Sequence, residues 1–141
     1  IANIIKQLVE SKNTATSIKA DLAKEDKKLY KDQIKKSSDI IKKIDGLMAL
    51  YLGKVDKRQG ITRNPEVTVN QRFGQARWYV GSRFGEQTST ESTLTNQFKE
   101  AYKKAVSETN TFFNKDWLTY KSSVEKIKLS PFKETKIFTI N

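Results

Sequence analysis

The chain has 141 residues and carries 27 Lys and Arg against 16 Asp and Glu, which gives a net charge of +11 at pH 7. It contains neither His nor Cys, so the sequence excludes disulfides, thiol or imidazole nucleophiles, Ser-His-Asp triads and the usual zinc sites. A chain of this length is expected to form one domain that folds without a metal or a disulfide. These exclusions remove most catalytic chemistry.

The ends of the chain and its hydropathy bear on where the protein works. No run of about 18 apolar residues is present, so we expect no membrane span. The chain begins at Ile1 within an apolar pattern, without the charged and apolar regions of a signal peptide. We therefore expect it to be part of a longer protein. The sequence does not indicate whether the chain is a monomer or an oligomer.

The first half of the chain has helical periodicity. Apolar residues recur at alternating steps of three and four, interrupted by a charged interval between residues 23 and 28. This pattern predicts helix one over about 1–23 and helix two over about 28–57, with Gly60 as terminator. One bent, continuous helix is the alternative, because neither Gly nor Pro marks the interval.

The third predicted helix covers about 65–84. Asn64 is a suitable N-cap, and Pro65 suits the first helical position. Gly74 and Gly81 fall inside this helix, where each costs roughly 1 kcal/mol. Close approach of a neighbouring helix is the expected reason for tolerating them.

The fourth predicted helix is long and covers about 89–128. Thr88 and Glu91 have the spacing of a capping box that opens it. In the tail over 131–141, Ile137, Phe138 and Ile140 stand with interleaved Thr, which indicates an extended segment.

The four segments predict an all-α fold, an antiparallel four-helix bundle over residues 1–130 with a short third helix, a long fourth helix and an extended C-terminal tail. Because helix three is short, the far end of helix four is expected to pack against the loop over 58–64.

One acidic residue breaks the pattern of helix four. Asp116 lies four residues after Phe112 and four before Tyr120, at the centre of the apolar face. A buried carboxylate needs a partner. The 58–64 loop holds Arg58 and Arg63, and we predict an Asp116–Arg63 pair that pins this loop.

One basic residue breaks the pattern of helix three. Arg77 follows Phe73 by four residues, inside the apolar stripe. In an antiparallel hairpin residue 77 lies opposite about residue 98, far from Asp116. An exposed, snorkelling side chain and a buried ion pair both fit.

Arginine is confined to the middle of the chain. All five arginines lie within one stretch that also holds Trp78 (Arg58, Arg63, Arg72, Arg77 and Arg83). Arg72, Tyr79 and Arg83 share one flank of helix three, which makes this flank a possible contact surface for phosphate or for an adjacent domain. No nucleic-acid motif is present, and lysines alternate with acids as on solvated faces, so the pattern disfavours nucleic acid as a partner.

Three short motifs carry a family resemblance. Gln59–Pro65 reads QGI-x-RNP, Asn110–Trp117 reads N-x-FF-x-x-DW, and Leu129–Lys133 reads LSPFK. Together they resemble the C-terminal helical region of large bacterial proteins with BNR-type, sortilin-like β-propeller repeats, which are often labelled glycosyl hydrolases. The resemblance covers most of the chain from residue 59 onward.

This resemblance implies a context rather than an activity for the chain. It implies propellers upstream and a secreted parent protein, which is extracellular, periplasmic or on the cell surface. Any sugar chemistry would belong to the propellers, so no catalytic residue and no cofactor is carried over. The matching Arg63, Asn64, Asp116 and Trp117 would be architectural, as a loop pin, a helix start and a core anchor.

The functional expectation is therefore a non-catalytic helical accessory or interaction domain. Its partner would be the upstream propeller or another protein. A basic bundle that binds a polyanion is the alternative. An enzyme that uses Asp or Glu would need two convergent carboxylates in a cleft.

Overall fold

A computed structural model describes residues 1–54, 67–82 and 85–127, and in these parts the chain is helical without strands. The predicted all-α helical bundle is confirmed. Its elements are α1 (Ala2–Asp26), α2 (Lys31–Leu52), α3 (Val69–Gly81), α4 (Ser89–Thr111), a π-helical segment (Phe112–Trp117) and α5 (Leu118–Glu125). The last three run on without a break and form one long C-terminal helix.

An aspartate makes the corner between α1 and α2. The Asp26 carboxylate accepts hydrogen bonds from the backbone N–H groups of Lys28 and Leu29, at 2.8 and 2.9 Å. Such a side-chain turn offers the backbone an alternative to the helix. Two helices are therefore present, not one bent helix, and the corner needs neither Gly nor Pro.

The end of α2 comes earlier than predicted. Gly53 has a φ of 87°, and its N–H bonds back to the carbonyl of Ala49. Only glycine adopts this conformation at low cost, so the helix stops at Leu52 and not near residue 57. Gly60, the predicted terminator, lies outside the described residues.

The start of α3 also differs from the prediction. Thr68 is the N-cap, and its side chain accepts a hydrogen bond from the backbone N–H of Gln71 while the Gln71 side chain accepts one from the Thr68 N–H. This reciprocal capping box fixes the start at Val69. A helix that begins at Pro65 is therefore wrong, and Asn64 and Pro65 lie outside the described residues.

The long C-terminal helix begins where the sequence predicted. Thr88 and Glu91 form the expected capping box. The helix ends at Glu125, slightly before the predicted residue 128, because Lys126 and Ile127 form a turn. The tail over 131–141 lies outside the described residues.

Helix α2 is the centre of the fold. It packs antiparallel to α1 on one side and to the C-terminal half of the long helix on the other. The core consists of fully or nearly fully buried side chains from these three helices, together with Val69 of α3 (Leu8, Ala15, Ile40, Ile44, Leu47, Tyr51, Val69, Ala105, Phe112 and Tyr120). Full burial of one such aliphatic or aromatic side chain is worth about 1.5–3 kcal/mol, so this layer is the main source of stability.

Helices α2 and α3 follow one another along the long helix. α3 packs against its N-terminal half, where the Phe73 and Phe98 rings lie 5.4 Å apart. The C-terminal half lies against α2, with Gln33 bonded to Ser123 at 2.9 Å. The loop over 58–64, which was predicted to pack against this end, lies outside the described residues, so that contact stays a prediction.

Two buried tyrosine hydroxyls join α2 to the long helix. Tyr51 bonds to Thr109 and Tyr120 bonds to Ser37, both at 2.9 Å. Burial raises the pKa of both tyrosine hydroxyls above the usual value of 10.0, although the hydrogen bonds with Thr109 and Ser37 oppose the shift.

These tyrosines give a prediction on alkaline stability. Because their folded pKa values exceed the unfolded value, their contribution is complete below about pH 10 and is lost as pH rises through the folded pKa values. The free energy of unfolding in urea should therefore fall more steeply above about pH 10 for the natural chain than for the double variant Tyr51→Phe/Tyr120→Phe. Equal slopes for the two proteins would contradict this assignment.

Candidate functional site

The motif Asn110–Trp117 corresponds to a π-helical segment and an aromatic cluster. Phe112 contacts both Phe113 and Trp117, with ring centroids 5.2 and 6.3 Å apart. Trp117 also lies 5.6 Å from the Tyr120 ring. Phe112 and Tyr120 are buried, while Phe113 and Trp117 are partly buried against the same core. The motif therefore builds the contact between the long helix and α2.

The π-helical segment keeps two core residues on one face. At about 100° per residue, Phe112 and Tyr120 would differ in direction by about 80° on a regular α-helix. A π-turn accommodates about one extra residue, which reduces the separation to nearly two whole turns. Both side chains consequently point at α2, where both are at most 4% exposed.

The same segment explains the position of Asp116. Its side chain is 33% exposed and its carboxylate lies 2.7 Å from the Lys43 Nζ of α2. On a regular α-helix, as predicted, Asp116 would lie at the centre of the inner face. The π-turn instead leaves Asp116 and Trp117 both half-buried at the edges of that face. A pair this exposed contributes at most about 1 kcal/mol.

Of the other predicted architectural residues, the structure describes Trp117 alone. Arg63 and Asn64 lie outside the described residues, so the Asp116–Arg63 pair stays a prediction. Trp117 packs between the Phe113 and Tyr120 rings, which suits an anchor of the core. Lys43 was not predicted as a partner, because sequence periodicity does not give the register between two helices.

Two of the three residues of the predicted contact flank on α3, Arg72 and Tyr79, are among the described residues. Arg72 is half-buried, and its guanidinium donates to the side-chain carbonyl of Gln97 at 2.9 Å. Tyr79 is 42% exposed. Arg83 lies outside the described residues. The structure thus brings Arg72 and Tyr79 to one side of α3.

Trp78 points away from the bundle. Its side chain is 68% exposed, and its ring meets the Tyr79 ring edge-on with centroids 5.1 Å apart. At about 100° per residue it lies opposite the buried Val69 and Ala76 of α3. We call the surface formed by Arg72, Arg77, Trp78 and Tyr79 the outer face of α3. Arg77 is exposed, which fits the solvent-facing alternative.

The two glycines of α3 have a different role from the predicted one. A Cβ added at Gly74 or at Gly81 would meet none of the described residues within 4 Å. The predicted reason for these two glycines, close approach of a neighbouring helix, is therefore wrong. Gly74 lies four residues before Trp78 and Gly81 three residues after it, on the same side of α3. Because glycine has no side chain, α3 places no side chain next to the indole at these two positions. This spacing was the sequence signal for an open aromatic surface.

An apolar cleft lies beside the outer face of α3. It runs between the first turn of α1 and the α3–α4 hairpin, lined by Ile1, Ile5, Leu52, Phe73 and Phe98 among others. Arg72 and Tyr79 do not line it. The cleft and the outer face of α3 are therefore separate features.

Metal-ligand clusters and membrane-spanning helices are absent from the described parts of the chain. No three His, Cys, Asp or Glu side chains in the described parts come together as a metal site. None of the helices in those parts is both long and apolar enough to cross a bilayer. The class that the fold defines is an all-α helical bundle. Comparisons with protein-family models, curated proteins and solved structures return no match.

Proposed function

We propose that the chain is a non-catalytic helical interaction module, and that the outer face of α3 is its contact surface. The observation that carries the proposal is the exposure of Trp78, 68%, beside the exposed Tyr79 and Arg77. Trp, Tyr and Arg are the residues that most often dominate binding energy at protein interfaces. An indole this open to water contributes little to the stability of the bundle.

The proposed context is the C-terminal part of a larger secreted protein with β-propeller repeats. The resemblance of Gln59–Pro65 and Asn110–Trp117 to such proteins supports this part of the proposal. The outer face of α3 would then dock on the upstream propeller, or on another protein. In this proposal the bundle positions a contact helix, and any chemistry belongs to the propeller.

Hydrogen exchange tests this proposal in the intact parent protein. Backbone amides of α3 should exchange at least about tenfold more slowly there than in the isolated chain, because docking covers the helix. Amides in the middle of α1, on the other side of α2, serve as the control and should not change. Equal exchange of α3 in both proteins, or a parent that lacks an upstream propeller, refutes the proposal.

Polyanion binding is the second candidate, favoured by the net charge of +11 and by the lack of acids on α3. Its signature is affinity for a DNA duplex that falls steeply between low and moderate salt. We expect only weak duplex binding that the substitution Trp78→Ala leaves unchanged.

A further inference from the structure

Among the described residues, the arginines on the outer face of α3 form no ion pair with an acidic side chain. Arg72 bonds to the neutral Gln97, and residues 67–82 contain neither Asp nor Glu. The other helices each hold at least one Lys–carboxylate pair, such as Lys12–Asp45 and Lys43–Asp116, both at 2.7 Å. Among the described residues α3 is thus the helix whose cations lack an acid partner.

We propose that the outer face of α3 binds an acidic surface of a protein partner. Trp78 would enter an apolar pocket of that partner, and Arg72 and Arg77 would pair with carboxylates on its rim. By helix geometry the two arginines lie on opposite sides of Trp78, about 100° or more from it. This inference rests on the proposed function and adds the chemistry of the partner.

The distribution of cations favours a protein over a nucleic acid. A nucleic-acid strand is held by a row of cations that follows its phosphates. Residues 67–82 contain no lysine, and their two arginines stand on either side of the indole rather than in a row. A central aromatic residue with charged residues at the edge is instead the arrangement of a protein interface.

Charge complementarity also fixes what each residue would contribute. Guanidinium groups form bidentate hydrogen bonds with carboxylates, which set the orientation of the partner. Pairs at an exposed rim chiefly affect specificity and the association rate, and the net charge of +11 would speed the approach of an acidic surface. The Trp78 indole, once buried in the pocket of the partner, would supply most of the affinity.

The test uses immobilised peptides as defined probes. Each peptide is about 12 residues long with two central apolar residues, and the set contains a rising number of glutamates and a matched lysine series. We expect binding of the isolated chain to rise with glutamate number and to be absent from the lysine series. Trp78→Ala and Arg72→Glu/Arg77→Glu should each lower the affinity about tenfold or more.

A matched variant separates local from overall charge. Lys35→Glu/Lys42→Glu changes the net charge by the same amount on the exposed side of α2 and should lower the affinity less than about threefold. An equal loss in both variants, or no binding of acidic peptides, overturns the proposal. Tighter, Trp78-dependent binding of a single-stranded oligonucleotide also overturns it, in favour of nucleic acid.

The outcomes also separate this inference from the proposed function. Trp78-dependent binding without a preference for glutamate refutes the acidic partner and leaves the contact surface standing. Unchanged exchange of α3 in the intact parent protein refutes the proposed docking itself.

Discussion

Deletion of Asn114 is expected to leave the chain folded, whereas deletion of Lys42 is expected to abolish cooperative unfolding. Asn114 is exposed within the π-helical segment, which holds about one residue more than a regular helix needs. Its removal converts the segment to α-helix and preserves the register on both sides. The expected loss is below about 3 kcal/mol.

Lys42 is equally exposed but lies in the regular helix α2. Its removal rotates the following residues by about 100°, so Ile44 and Tyr51 leave the inner face that Ser37 occupies. The free energy lost with these core contacts exceeds the whole free energy of unfolding of an ordinary domain, which is about 5–15 kcal/mol. Circular dichroism during urea unfolding measures both variants. Unfolding of both deletions alike would contradict the π-helical register.

Replacement of Phe112 by Ala should lower the free energy of unfolding by about 3–5 kcal/mol. The side chain is 3% exposed, packs in the core, and holds the rings of Phe113 and Trp117. The cavity would open between α2 and the long helix, where the fold has its main core. Urea unfolding measures the change.

Leu118→Ala is the matched control for this prediction. Leu118 lies six residues further along the same helix and is 53% exposed, so its truncation should cost less than about 1 kcal/mol. Similar losses in the two variants would mean that Phe112 is not a core residue.

Local chemistry made much of the fold predictable. The spacing of apolar residues gave four helical segments, and the Thr88–Glu91 capping box gave the start of the long helix to the residue. Both signals depend on neighbours within one turn, which sequence displays directly. The Asp26 corner is local too, but it contains neither Gly nor Pro, and for this reason one bent helix stayed open as the alternative.

The differences have two sources, local caps outside the predictions and helix register. Gly53 ends α2 and Thr68 caps α3, and neither residue was among the predicted caps. The π-turn changes the direction of Asp116, and the spacing of apolar residues does not reveal such a turn. Lys43 was missed as its partner because inter-helical register depends on the packing of the whole core.

The candidate site was predictable in part. Clustering of arginine with Trp78 and Tyr79 drew attention to α3, and helical angles placed Arg72 and Tyr79 on one flank. The role of Gly74 was misjudged, because a small residue fits both a close contact and an open surface. Only the position of α3 along the long helix distinguishes the two.

The central claim is that Trp78 serves binding rather than stability, and one variant measures both. Trp78→Ala in the isolated chain should leave the free energy of unfolding within about 0.5 kcal/mol of the natural value. In the intact parent protein, the same substitution should remove the additional protection of α3 amides from hydrogen exchange that docking provides. A stability loss of about 2 kcal/mol or more in the isolated chain, or additional protection in the parent that persists without the indole, would contradict the claim.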